Sequence, residues 1–176
     1  METKKLELGR VKFDGCVIIS DPCYEPGDFY QLEAKCLPGW YSCSVEVTDN
    51  PVWGQRITKI TAIYEGYKFC IDRLDYDICE GGLLAVDSGQ MGIFDAKYYL
   101  DNQDNDYDNT ASWYRKVCDI TLADDQAGLV DTRGCVSSSG YGDGCYYAYH
   151  WLLETGIAVG FEVVFIEDDD DDPEDE

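Results

Sequence analysis

Polar and apolar residues alternate along much of this chain with a period of two, the pattern of strands that bury one face. In WYSCSVEVT, Tyr41, Cys43, Val45 and Val47 fall on one side, with Ser42, Ser44, Glu46 and Thr48 on the other. GIAVGFEVVFI repeats the pattern through Ile157, Val159, Phe161, Val163 and Phe165, and VKFDGCVII groups Val11, Phe13, Val17 and Ile19. RITKITAIY and YKFCID are expected to pair as a hairpin turning at Glu65-Gly66, because glycine tolerates positive φ. Further strands are expected over Leu83 to Val86, Gly92 to Phe94, Leu129 to Ser137 and Cys145 to Leu153. Glu154-Thr155-Gly156 should turn the last of these back onto the closing strand. One segment departs from the rule. In ASWYRKVCDITLA, residues 111–123, Trp113, Val117 and Ile120 recur at helical spacing, and Asn109-Thr110 stands where an N-cap belongs. Many short strands with one helix near residues 111–123 predict a mainly β (β-rich α+β) fold, an antiparallel β-sandwich or a curled barrel.

At 176 residues the chain suits one domain, expected over residues 1–166. Charge changes the picture more than length does. Thirteen Lys and Arg face 36 Asp and Glu, a net charge of −23. A protein that grips nucleic acid by neutralising phosphates needs a basic footprint, so no direct nucleic-acid binding is expected. Like charge argues equally against anionic membrane surfaces. The acids concentrate at the C-terminus, where Glu167, Asp168, Asp169, Asp170, Asp171 and Asp172 run on through Pro173 to Glu174, Asp175 and Glu176. Such a run cannot bury apolar surface and repels itself, so a solvated, disordered tail is expected over 167–176. Setting its nine acids aside leaves 27 against 13 basic residues, a body still at −14.

The only early apolar run, Val17-Ile18-Ile19, is too short for a signal-peptide core, so a cytoplasmic protein (host cytoplasm if phage-encoded) is expected. Nine cysteines cannot all pair internally, none stand as C-x-x-C, and His150 is the single imidazole. They read as small buried thiols in a reducing compartment, and no cofactor is called for.

Four segments could carry chemistry. Asp21, in Ser20-Asp21-Pro22-Cys23-Tyr24, sits where the first strands end and is a carboxylate at a sheet terminus or simply a turn residue. Asp87, Ser88 and Asp95 flank two glycines in VDSGQMGIFD; Ser88 as a nucleophile would need His150 as its base. Asp143 lies among the glycines of SSGYGDG, ahead of a Tyr-rich strand carrying Tyr146 and His150, a composition that also suits an interaction surface. Asp104, Asp106 and Asp108 open like a calcium loop, but Asn109 and Arg115 occupy the positions an EF-hand gives to Gly and Glu, which leaves only a non-EF metal site.

The VDSGQMGIFD and SSGYGDGCYYAY blocks, with the SDPCY turn and the closing GIAVGFEVVFI strand, resemble an uncharacterised bacterial and phage family. That family shows VDSG…FD and SGxGDGxY blocks. The resemblance picks out Asp87, Gly89, Asp95, Gly140, Gly142, Asp143 and Gly144 and implies no activity. The expected function is therefore a non-enzymatic acidic protein that binds a basic partner surface, for instance an inhibitor mimicking nucleic-acid charge. Two alternatives stand beside it: a ligand- or metal-binding protein or enzyme working through carboxylates at the Gly-rich loops, and a structural or scaffold component.

Overall fold

The computed structural model describes residues 2–167. The first half of the chain supplies β1 (Thr3–Phe13), β2 (Cys16–Ser20), β3 (Leu32–Lys35), β4 (Gly39–Asn50) and β5 (Gly54–Tyr64). The second supplies β6 (Asp75–Val86), β7 (Gln90–Asp95), α1 (Ala96–Asp101), α2 (Trp113–Thr121), β8 (Ala127–Val130), β9 (Gly134–Ser138), β10 (Gly144–Leu152) and β11 (Ala158–Val164). Two antiparallel sheets result, ordered β1-β4-β5-β11-β10-β6 and β3-β2-β7-β9-β8. Neither closes on itself, so of the two expected architectures the sandwich is the one formed.

Alternation explains the layering. The inward residues of the large sheet, among them Tyr41, Cys43, Val45, Ile60, Phe161 and Val163, meet Val17, Ile19, Met91, Ile93 and Cys135 of the small sheet in one core. The opposite face of the small sheet is covered as well. Ile18, Phe94 and Val136 pack there with Tyr99 of α1 and with Trp113 and Val117 of α2. All six residues of β7 are consequently buried, which is why MGIF reads as an unbroken apolar run. Both helices lie against the small sheet, and on the outer face of the large sheet Tyr76, Ile78 and Tyr147 are exposed among the described residues.

The helix begins later than its sequence signal. Ser112, not Asn109-Thr110, caps α2 by accepting from the Arg115 N–H at 3.1 Å. Asn109 instead accepts from the Ala111 N–H inside the preceding turn. Asp95 caps α1, accepting from Tyr98 N–H.

Three strand expectations need correction. Val11, Phe13, Val17 and Ile19 share a core but not a strand, because Gly15, at φ +113°, turns the chain from one sheet to the other. YKFCID is not a strand; two short 3₁₀ turns occupy Glu65–Tyr67 and Ile71–Arg73, and β5 pairs with β4 and β11. Leu129 to Ser137 is a hairpin of β8 and β9, closed over Asp131-Thr132, both at positive φ. The Glu154-Thr155-Gly156 turn does join β10 to β11 as an antiparallel pair. Among the described residues no helix is long and apolar enough to cross a membrane.

Candidate functional site

Three of the sequence-predicted segments meet at one end of the sandwich, around Asp21. Pro22 and the turn after β2 hold this aspartate fully buried. Its Oδ1 accepts from the Cys23 N–H at 2.9 Å and the Ser88 hydroxyl at 2.6 Å. Its Oδ2 accepts from the backbone N–H groups of Asp87 and Ser88, each at 2.8 Å. Four donors converge on one carboxylate, so burying its charge is compensated and the loop after β6 is tied to the loop after β2.

The third segment joins through Asp143, whose Oδ1 accepts from the Gly89 N–H at 2.9 Å. Gly89 stands at φ +67°, a conformation that aims its amide outward without a Cβ penalty. Tyr146 supports the same loop by donating its hydroxyl to the carbonyls of Gly142, at 2.7 Å, and Ser139, at 3.2 Å. Asp87 lies at the exposed rim and accepts from the Tyr24 hydroxyl at 2.8 Å. Burial, reinforced by the Asp87 carboxylate, pushes the Tyr24 phenol well above its usual range.

This assembly is a clasp between loops. Ser88 donates to Asp21 and accepts from Gln90 Nε2 at 3.1 Å, with no imidazole beside it. His150 faces Asp77 across β10 and β6, six residues from Gly144, or about 20 Å along the strand. A Ser88–His150 pairing is thereby excluded. Burial holds the His150 pKa below its usual value, against the opposing pull of Asp77. Cys23 adjoins Asp21, and burial together with that carboxylate pushes its thiol up to about 12, which disfavours the thiolate. Beside the clasp a groove of about 530 Å³ is lined by Ser88, Gln90, Tyr107, Tyr114 and Cys118. Its inner polar groups already serve one another, as where the Thr121 hydroxyl donates to Gln90 Oε1 at 2.8 Å.

The remaining candidates lie apart. Asp95 is at the far end of β7 and accepts from Asp14 N–H and Tyr98 N–H, with Arg133 Nη2 at 3.0 Å. Asp104 and Asp106 each accept from the backbone N–H two residues on, as Asx turns do. Among the described residues no three His, Cys, Asp or Glu side chains group as metal ligands. All nine thiols are free, five of them buried. Of the acidic tail only Glu167 falls among the described residues; Asp168 to Glu176 lie outside them.

Sequence reasoning missed a second cluster, on the outer face of the large sheet. Tyr149 and Trp151 of β10 project there beside Tyr76 of the end strand β6. Tyr76 stacks on Tyr149 with ring centroids 5.2 Å apart and 5° between planes, and lies 4.8 Å from the Trp151 ring. The alternation of Tyr147, Tyr149 and Trp151 signalled half of this face; DYDICEGG concealed Tyr76. Comparisons with protein-family models, with curated proteins and with solved structures found no match.

Proposed function

We propose that this chain is a non-enzymatic acidic interaction protein that binds a basic surface on a partner protein. The observation that supports this most is how charge is distributed after internal pairing. Eight of the thirteen basic residues (Lys5, Arg10, Lys59, Lys68, Lys97, Arg115, Lys116 and Arg133) already sit in ion pairs with this chain's own carboxylates. Carboxylates such as Asp28, Asp49, Asp72, Asp75, Asp77, Glu80, Asp124, Asp125 and Glu154 remain exposed and make no ion pair among the described residues. A rigid sandwich presenting that excess attracts Lys- and Arg-rich surfaces, including those that bind phosphates.

The motif carboxylate Asp21 does not compete with this reading, since its four acceptor contacts are all taken by the chain itself. A role as an inhibitor occupying a nucleic-acid-binding surface follows from the same chemistry. The test is capture of partners on the immobilised full chain, followed by elution from about 50 to about 500 mM salt, roughly a threefold change in Debye length. The captured partner should be basic at its contact surface, should elute as salt rises and should be displaced by duplex DNA. Salt-insensitive retention, or a partner whose contact surface is neutral or acidic, would overturn the proposal.

A further inference from the structure

The aromatic cluster on the outer face has the parts of a cation-binding surface. Gly160 lies opposite Trp151, and a Cβ there would stand 2.8 Å from Trp151 Cε3, so the missing side chain is what lets the indole lie against the sheet. Tyr76 and Tyr149 then stack beside it and leave further ring surface toward solvent; Tyr76 is 43% exposed. At their foot stands Glu162, which accepts from the Tyr76 hydroxyl at 2.8 Å and the Thr61 hydroxyl at 2.9 Å. Each of its oxygens keeps a lone pair, and Glu162 makes no ion pair among the described residues.

Tyr76, Tyr149 and Glu162 border a pocket of about 250 Å³, with Val164 and Ile166 completing an apolar wall. Lys59 also lines it but is engaged by Glu46 at 3.4 Å. Ring faces carry negative potential, and a carboxylate beside them adds to it, so the pocket suits a cation. A planar guanidinium fits best: it stacks on a tyrosine while its fork of N–H groups meets a carboxylate edge, which a tetrahedral ammonium cannot do. The surroundings carry the same sign. Asp75, Asp77 and Glu80 are exposed along β6, the end strand that carries Tyr76, with Asp75 and Asp77 alternating onto its opposite face. Glu167 lines the pocket.

We infer that the Tyr76–Tyr149–Glu162 surface is where the basic partner docks, by receiving an arginine side chain of that partner. This deepens the acidic-interaction reading and rests on it. Trp151 and Gly160 position the tyrosines, and the surrounding acids speed and orient the encounter.

The test uses the intact chain and fluorescence anisotropy with labelled polyarginine and polylysine peptides of equal length. Polyarginine should bind more tightly, by about fivefold to tenfold from the stacked guanidinium. Tyr149→Leu and Glu162→Gln should each abolish that preference and leave polylysine affinity within about twofold, since only the arginine-specific contacts are lost. Thermal unfolding of both variants checks that the sheet persists, and Glu162→Gln serves should Tyr149→Leu unfold. Salt-sensitive binding of both peptides with no arginine preference would overturn this site while leaving the acidic-interaction reading intact. Failure of both peptides to bind at about 50 mM salt, where attraction is least screened, would overturn both.

Discussion

The molecule holds its carboxylates in two opposite ways. At the clasp, Asp21 is fully buried and accepts four hydrogen bonds from groups of its own chain. Along β6, Asp75, Asp77 and Glu80 are exposed and make no ion pair among the described residues, and on the outer face the half-buried Glu162 accepts two hydroxyl hydrogen bonds and likewise makes no ion pair. The first is held by donors and fixes loops; the second keeps acceptor capacity toward solvent. The aspartates of the SDPCY, VDSG and GDG segments, the most motif-like feature of the chain, tie its loops to one another. The less patterned surplus is what another molecule can reach.

This contrast can be broken most sharply at Asp21. Replacing it with Ala strands three backbone N–H groups and a hydroxyl in the interior and should lower stability by about 3–5 kcal/mol. Urea unfolding measures it, and a loss under about 1 kcal/mol would mean that the clasp is not structural. A smaller effect is expected from Gly92→Ala. A Cβ there would run into the Phe94 ring and stand 2.9 Å from the Cys135 carbonyl oxygen. The overpacking should cost about 1–3 kcal/mol, read as a lower midpoint in the same unfolding experiment, while binding of a basic partner stays unchanged.

The smallest expected effect concerns pH. A hydrogen bond from Arg133 holds the Asp14 pKa below its ordinary 3.8, and Lys116 with Tyr98 does the same for Asp131. A carboxylate with a depressed folded-state pKa contributes stability that is fully present above about pH 4 and lost as the pH falls through the lower folded value. Both groups face solvent, so the contribution is modest. Asp14→Asn with Asp131→Asn should lower neutral-pH stability by that modest amount, leave stability below the folded-state pKa values unchanged, and so flatten the acid limb of the stability curve. An acid limb as steep as that of the parent would exclude these two groups as its source.

Much of this arrangement is legible in the sequence, and the exceptions have physical causes. β4, β10 and β11 are readable because each buries one face, so period two survives in their residues. YKFCID imitates that period, yet Phe69 is almost wholly exposed and the backbone closes i+3 turns, as where Cys70 N–H reaches Tyr67 O. The split of residues 129–137 turns on Thr132 adopting φ 56°, which a β-branched residue rarely does and which no local pattern announces. Asp21, Asp87-Ser88 and Asp143 are visible as three turns. That they are one clasp depends on contacts 54 to 67 residues apart, which only the sheet order creates. Tyr76 was hidden for the same reason, since β6 meets Tyr149 and Trp151 only after β10 pairs with it.

The decisive question is whether exposed carboxylates, and not the clasp, engage a partner. The direct measurement is affinity for the captured basic protein as a function of salt, for the parent chain and for a variant carrying Asp75→Asn, Asp77→Asn, Glu80→Gln and Glu162→Gln. A fold as stable as the parent's, weaker binding at low salt and a shallower salt dependence are expected. Affinity and salt dependence equal to the parent's, in a variant that is equally well folded, would contradict that role for the exposed carboxylates.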